Sequence, residues 1–170
     1  MLDLPAVPLP AGIRSRYVEG INGLRMHVLE AGFETKGRPC VLLLHGFPDF
    51  WYGWRNQIGP LAAAGFRVIA LDQRGYNRSD KPPQIADYTT DRLAADVAAV
   101  LDDLGLDRAA VVGHDWGGAV GWALATLRPD RVSRLVVINC PHPLAMRAAL
   151  EGSWGQLARS WYILAAQFPK

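Results

Sequence analysis

Asp115 stands at the centre of Gly113-His114-Asp115-Trp116-Gly117, with a glycine two places to either side. The motif follows the apolar run Ala109 to Val112 and precedes a helix-like segment, the pattern of a tight strand-to-helix elbow that exposes one nucleophile. Only small residues fit around so sharp a turn. A serine at its centre attacks carbonyl carbon. A carboxylate suits attack on a polarised saturated carbon, leaving an ester that water must then cleave. The competing use of Asp115 is to cap the helix that starts at Trp116 or Gly117. Gly113, Gly117 and Gly118 crowded around it favour the nucleophile.

His45-Gly46-Phe47-Pro48 follows another apolar run, Cys40 to Leu44. An elbow enzyme takes one oxyanion-binding N–H from the residue after its nucleophile and another from this loop. The expected donors are the backbone amides of Trp116 and Phe47. Gly46 permits the close turn, and the bond before Pro48 is a candidate for cis. His45 and His114 are expected to orient loops. His142 follows the nucleophile but sits between two prolines directly after a strand, too early for the base of an elbow enzyme, so it reads as a loop anchor. Asp72 and Arg74, in the charged loop Asp72 to Pro82, are expected to pair or to hydrogen-bond neighbouring loops. Trp51 and Tyr52 are candidate pocket-lining residues, with Trp54 beside them; the alternative is that they pack the first helix.

The elements that must position these residues are legible from periodicity. Ile21-Asn22-Gly23 between two strand-like runs predicts a hairpin. Cys40 to Leu44, Arg67 to Leu71 and Ala109 to Val112 read as strands buried on both faces, with Arg134 to Asn139 as a fourth. Between them, Trp54 to Ala64 predicts a helix broken or kinked at Gly59-Pro60. Asp91 to Leu104 predicts a second helix, capped by Thr90 and ended by Gly105. Gly117 to Arg128 predicts a third. This alternation after an antiparallel start implies an α/β chain with a mostly parallel, doubly wound sheet. In such sheets ligands bind at the carboxyl ends of the strands, where every unusual motif here lies. Leu144 to Glu151 and Trp154 to Phe168 read as two helices with no strand between them, the start of a lid. The expected division is therefore 1–142 as core domain and 143–170 as the beginning of a helical lid.

Composition narrows the function. The 170 residues suit one domain, and half of them are hydrophobic, as in an ordered globular protein. Eighteen basic and 16 acidic residues give a net charge of +2 without a basic-aromatic cluster, so nucleic acid is not an expected partner. Residues 1–12 lack the charged and apolar regions of a signal peptide. The most apolar stretch, Ala109 to Leu127, contains His114, Asp115 and the elbow glycines, which argues against a membrane span. A cytoplasmic location follows as the default, with Cys40 and Cys140 reduced. No cluster of metal ligands and no phosphate-cradling glycine loop is present, so neither metal nor cofactor is expected.

Four stretches together carry a resemblance: His45 to Arg55, Asp72-Gln73-Arg74-Gly75-Tyr76 to Pro82, Gly113 to Gly118, and Asn139 to Pro143. From about Tyr17 onward the chain resembles the soluble epoxide hydrolase branch of the α/β-hydrolase superfamily. The resemblance implies an α/β-hydrolase fold and opening of a small apolar epoxide to a vicinal diol, with Asp115 as nucleophile and water as second reactant. It implies Phe47 and Trp116 as oxyanion-hole donors. It also implies that Tyr162, in surroundings that include Gln167 and Pro169, donates a hydrogen bond to the epoxide oxygen from the lid. The relay acid, catalytic histidine, second lid tyrosine and last strands of that pattern would fall beyond Lys170. The resemblance thus covers its N-terminal portion, and the 170 residues alone are expected to be inactive in turnover and poorly soluble. A haloalkane dehalogenase uses the same aspartate, and Trp116 would suit a halide, but that branch places asparagine where Phe47 stands. A fluoroacetate-type dehalogenase would carry arginine in place of Trp116. A non-catalytic, hydrolase-like binding protein is the reading from another class.

Overall fold

The computed structural model describes residues 8–161. Six strands form one sheet in the order β1-β2-β4-β3-β5-β6. Strands β1 (Ile13–Ile21) and β2 (Leu24–Ala31) pair antiparallel across the hairpin. Asn22 and Gly23 both take positive φ, 49° and 82°, as a two-residue turn matched to strand twist requires. Strand β2 pairs antiparallel with β4 (Arg67–Leu71); β3 (Cys40–Leu44), β4, β5 (Ala109–His114) and β6 (Val132–Ile138) run parallel.

Alternating side chains of each strand feed two cores, one per face. Leu42, Leu44, Ile69, Leu71 and Val28 pack with α2 (Thr90–Asp103) and α3 (Trp116–Leu127) through Val97, Leu101, Val120 and Leu124. Their neighbours Val41, Leu43, Val68, Ala70 and Leu29 pack on the opposite face with Trp51, Trp54 and Ile58. Ile58 belongs to α1 (Arg55–Ala63), which a short 3-10 turn, Trp51–Trp54, precedes. Burial on both faces explains why β3 and β4 are unbroken apolar runs, and each fully buried leucine contributes roughly 1.5–3 kcal/mol of transfer energy.

Three local expectations need correction. The first helix continues through Pro60 instead of breaking there, losing one backbone donor inside an otherwise continuous element. The second helix begins at Thr90 with Thr89 as its flanking residue, so Thr90 is not the cap. The Thr89 hydroxyl instead lowers the pKa of the Asp91 carboxyl. The last strand starts at Val132, two residues earlier than its apolar run suggests.

The chain divides into two compact units, 1–140 and 141–170. In the second, His142 precedes α4 (Pro143–Gly152) and its ring Nδ1 accepts from the Leu144 amide at 3.2 Å, the work of a loop anchor. Arg147 and Glu151 pair one turn apart at 2.7 Å. Helix α5 (Trp154–Arg159) follows, and Trp154 and Trp161 are exposed. The rest of the expected helix to Phe168 lies outside the described residues. No helix among the described residues is long and apolar enough to cross a membrane.

Candidate active site

Asp115 joins β5 to α3 with φ 53° and ψ −121°, a conformation that L-residues adopt only under strain. The surroundings enforce it. A Cβ on Gly113 would overlap the Gly117 carbonyl, and one on Gly117 would overlap the Leu44 carbonyl. The two glycines thus let the turn close on itself and on the end of β3.

Although Asp115 occupies the flanking position of α3, its side chain makes no capping bond. Its Oδ1 instead accepts from the Phe47 amide at 2.9 Å, across 68 residues of sequence. The loop from β3 comes this close because residue 46 is glycine: a Cβ there would lie 2.5 Å from Asp115 Cβ and 2.7 Å from Oδ1. The Asp115 amide donates to Ile138 O at 3.0 Å, and its carbonyl accepts from Gly118 at 2.9 Å. Trp116 is the first residue of α3, where helix N–H groups have no intrahelical acceptor and a partial positive charge favours an anion. Phe47 and Trp116 are 61% and 52% exposed, and the Phe47-Pro48 bond is cis.

The Phe47 loop is held from behind by buried polar groups. His45 Nε2 accepts from the Gln73 amide at 3.1 Å, so the ring proton sits on Nδ1 and is donated to Gly46 O at 2.9 Å. Gln73 Nε2 returns a bond to His45 O at 2.5 Å. Burial lowers the His45 pKa, against the smaller opposing effects of Gly46 O and the Asp72 and Asp49 charges, and the neutral ring is what this network requires. Tyr76 packs edge-on against His45 with ring centroids 4.7 Å apart. Burial and then the Asp115 charge raise the pKa of its phenol, which therefore stays protonated near the candidate nucleophile. Sequence reasoning passed over Tyr76, since only the folded loop brings it under the influence of Asp115.

Asp72 and Arg74 do not pair with each other; each hydrogen-bonds neighbouring segments, the other arrangement expected of them. Arg74 donates from Nε and Nη2 to Asp96 at 2.7 Å each, and Asp72 accepts from the Trp51 amide at 2.9 Å and from Asn77 at 2.7 Å. Asp72 also meets His27 Nδ1 at 2.6 Å, a buried contact that the hairpin position of His27 did not suggest. Trp51 is a core side chain, whereas Tyr52 is 41% exposed with the Arg55 guanidinium 4.4 Å from its ring. Tyr162 lies outside the described residues. Among the described residues no three His, Cys, Asp or Glu groups converge as metal ligands. A cavity of about 450 Å³ opens at the amino ends of β3 and β4, among Arg38, Arg67 and Arg108, at the end of the strands opposite the elbow.

Residues 39–168 match the family described as alpha/beta hydrolase fold. The chain belongs to the alpha/beta hydrolase fold family. This α/β-hydrolase is 48% identical over 158 residues to the AB hydrolase superfamily protein YfhM of Bacillus subtilis, covering 93% of this chain and 54% of that one. It is 42% identical over 159 residues to epoxide hydrolase 1 of Caenorhabditis elegans, covering 94% and 38%. Among solved structures, an epoxide hydrolase from Vigna radiata superposes with a TM-score of 0.71 at 40% identity, covering 83% of this chain and 47% of that one. The α/β-hydrolase chain spans about half the length, or less, of these relatives.

The buried groups give this α/β-hydrolase a pH-dependent stability of stated sign. His45 has a folded pKa below its ordinary 6.5, so the unfolded chain takes up the proton first and stability falls as pH drops below about 6.5. Glu30, wholly buried, is raised by burial, but hydrogen bonds from Arg67 and Arg14 and the Arg16 charge outweigh this and hold it below 4.5. Its contribution is present above about 4.5 and disappears as pH falls through its folded value. Thermal midpoints measured from pH 8 to 3 should be flat at first, then decline in these two stages.

Proposed function

We propose that the chain carries the alkylating half of an epoxide-opening reaction, with Asp115 as nucleophile. The observation that carries this reading is the Phe47 amide 2.9 Å from Asp115 Oδ1, at an elbow whose aspartate caps nothing. That amide makes the two carboxylate oxygens unequal. Oδ1 has its charge partly satisfied, so Oδ2 is the better attacker on an oxirane carbon. Oδ1 then becomes the ester carbonyl oxygen, already in contact with one donor of an oxyanion hole. The Trp116 amide supplies the second. When water adds to the ester, these N–H groups receive the negative charge that develops on Oδ1.

Ring opening also needs a proton for the departing oxygen. Tyr162 fills that role in this reading: a phenol, with an ordinary pKa near 10, is protonated at neutral pH and donates as the alkoxide forms. Residues from 141 onward would serve as the lid that brings it, and Tyr52 is the exposed aromatic beside the Phe47 loop for an apolar substituent. Activation of water is assigned to a histidine outside these 170 residues. His45 has both ring nitrogens committed to backbone groups, and His114 hydrogen-bonds Asn139 at 3.3 Å. The 170-residue chain is therefore expected to form the Asp115 ester and to hold it.

Trapping tests this. After incubation with styrene oxide, the peptide containing Asp115 should gain the mass of one epoxide. A folded chain that gains none favours the non-catalytic binding protein. Halide release from a bromoalkane, without epoxide capture, favours the dehalogenase instead.

A further inference from the structure

Ser15, His27 and Asp72 form a hydrogen-bonded line remote in sequence from the elbow. His27 Nδ1 lies 2.6 Å from Asp72 Oδ2, and His27 Nε2 lies 2.7 Å from Ser15 Oγ. The imidazole is 2% exposed and Asp72 is fully buried, while Ser15, on the outermost strand, is open to solvent. We propose that these three residues are a second nucleophilic relay, in which Ser15 takes an acyl group from small activated esters. The proposal does not depend on the Asp115 reading, although Asp72 also holds the Trp51 segment near that site.

Asp72 sets the polarity of the line. Its carboxylate only accepts hydrogen bonds, and it takes them from the Trp51 amide at 2.9 Å and from Asn77 Nδ2 at 2.7 Å as well as from His27. The ring proton of neutral His27 is therefore on Nδ1. That leaves the lone pair of Nε2 facing Ser15, whose O–H donates to it. This is the arrangement in which an imidazole acts as base toward a serine hydroxyl.

The backbone fixes both partners of the buried pair. The Asp72 amide donates to His27 O at 3.0 Å, the His27 amide donates to Ser79 Oγ at 2.9 Å, and Ser79 Oγ donates to Asp72 O at 2.5 Å. A cross-strand serine that merely satisfied a buried histidine would account for one contact. It would not account for an acid that fixes the tautomer from the other side.

A positive charge stands on the same face as His27. Tyr17 is directly paired with His27, their ring centroids 5.4 Å apart, and the Arg25 guanidinium lies 4.4 Å from the Tyr17 ring. Ser15 sits on an exposed strand, so the donors it fits are compact acyl groups with good leaving groups. In the step itself, Ser15 Oγ bonds to the acyl carbon as its proton passes to His27 Nε2. The bond to the aryl oxygen breaks, and the phenol leaves with that proton. Water, deprotonated by the same nitrogen, then cleaves the new ester to a carboxylic acid and restores Ser15.

The test uses p-nitrophenyl acetate with the whole chain, followed by peptide mapping of the acetyl group. The expected result is acetylation at Ser15, absent in Ser15→Ala, an exposed substitution with little reason to disturb folding. His27→Ala should slow acetylation by about 100-fold or more, and added imidazole should restore part of it. Asp72→Asn should slow it similarly and respond less to imidazole, because its native histidine remains in place with the wrong tautomer. A fluorophosphonate probe on the unaltered chain gives an answer that no variant can confuse: Ser15 labelled when folded and unlabelled in urea. Acetyl groups confined to lysines and the N-terminus, or Ser15 labelled equally fast in His27→Ala, would overturn the proposal.

Discussion

Asp115→Asn is expected to abolish capture of styrene oxide, slowing adduct formation by about 10⁴-fold or more, because an amide oxygen has no charge to give an oxirane carbon. The substitution keeps the shape of the side chain and the acceptor for the Phe47 amide, and asparagine tolerates positive φ better than most residues. Intact-protein mass after a fixed incubation reads the result. Asp115→Gly sharpens it. Glycine removes the strain of φ 53°, a gain of order 1–3 kcal/mol, while removing the nucleophile altogether. A variant that melts higher and captures nothing is the signature of a side chain kept against the interest of stability. Capture that persists in Asp115→Asn would sink the assignment.

Asp96→Ala should produce the largest loss of stability, about 3–5 kcal/mol in urea unfolding, with the midpoint lowered and the slope unchanged. Asp96 is buried in α2 and accepts both nitrogens of a bidentate Arg74 as well as Asn22 Nδ2 at 2.8 Å. Without it, among the described residues, a buried guanidinium keeps only its hydrogen bond to the Asp87 carbonyl, at 3.0 Å. The damage should spread, since Arg74 belongs to the loop that runs from Asp72 and Gln73, which hold the Trp51 and His45 segments. Reduced epoxide capture in Asp96→Ala, even where it is still folded, is the expected second effect. A loss under about 1 kcal/mol would mean that the pair is solvated in solution and that the loop has other support.

How much of this was legible beforehand follows from range. Strands β3 and β4 are read to the residue because burial on both faces leaves an uninterrupted apolar run. Strand β6 begins earlier than the expected Arg134 because Ser133 faces solvent, and a polar residue on an exposed face hides a strand's start. The elbow is legible because its demand for glycine is local. Its partner, the Phe47 amide, came from a motif argument, and the structure shows the two in contact. The polar scaffold behind them was not legible. Arg74 finds Asp96 at a separation of 22 residues, His45 finds Gln73 at 28, and Asp72 finds His27 at 45. No periodicity encodes such pairs, and a charged residue two places away is always the nearer guess. Pro60 does not break α1 for a different reason: packing of Ile58 and the Trp51 turn against the sheet holds the helix together across a residue that would break an isolated one.

Strands β3 and β5 are neighbours, with Leu44 opposite Gly113, and each hands its chain directly to one side of the candidate site. The spacing of Asp115 and the Phe47 amide is therefore a property of a backbone ladder between strands held roughly 4.8 Å apart. A slip by one rung would invert every buried side chain of a strand, so selection for a sound interior also holds this gap constant. Under the proposed function, chemistry and substrate choice would in that sense be separately heritable. Loops and helices elsewhere would then be free to drift toward new guests while the distance between Asp115 and the Phe47 amide stays put.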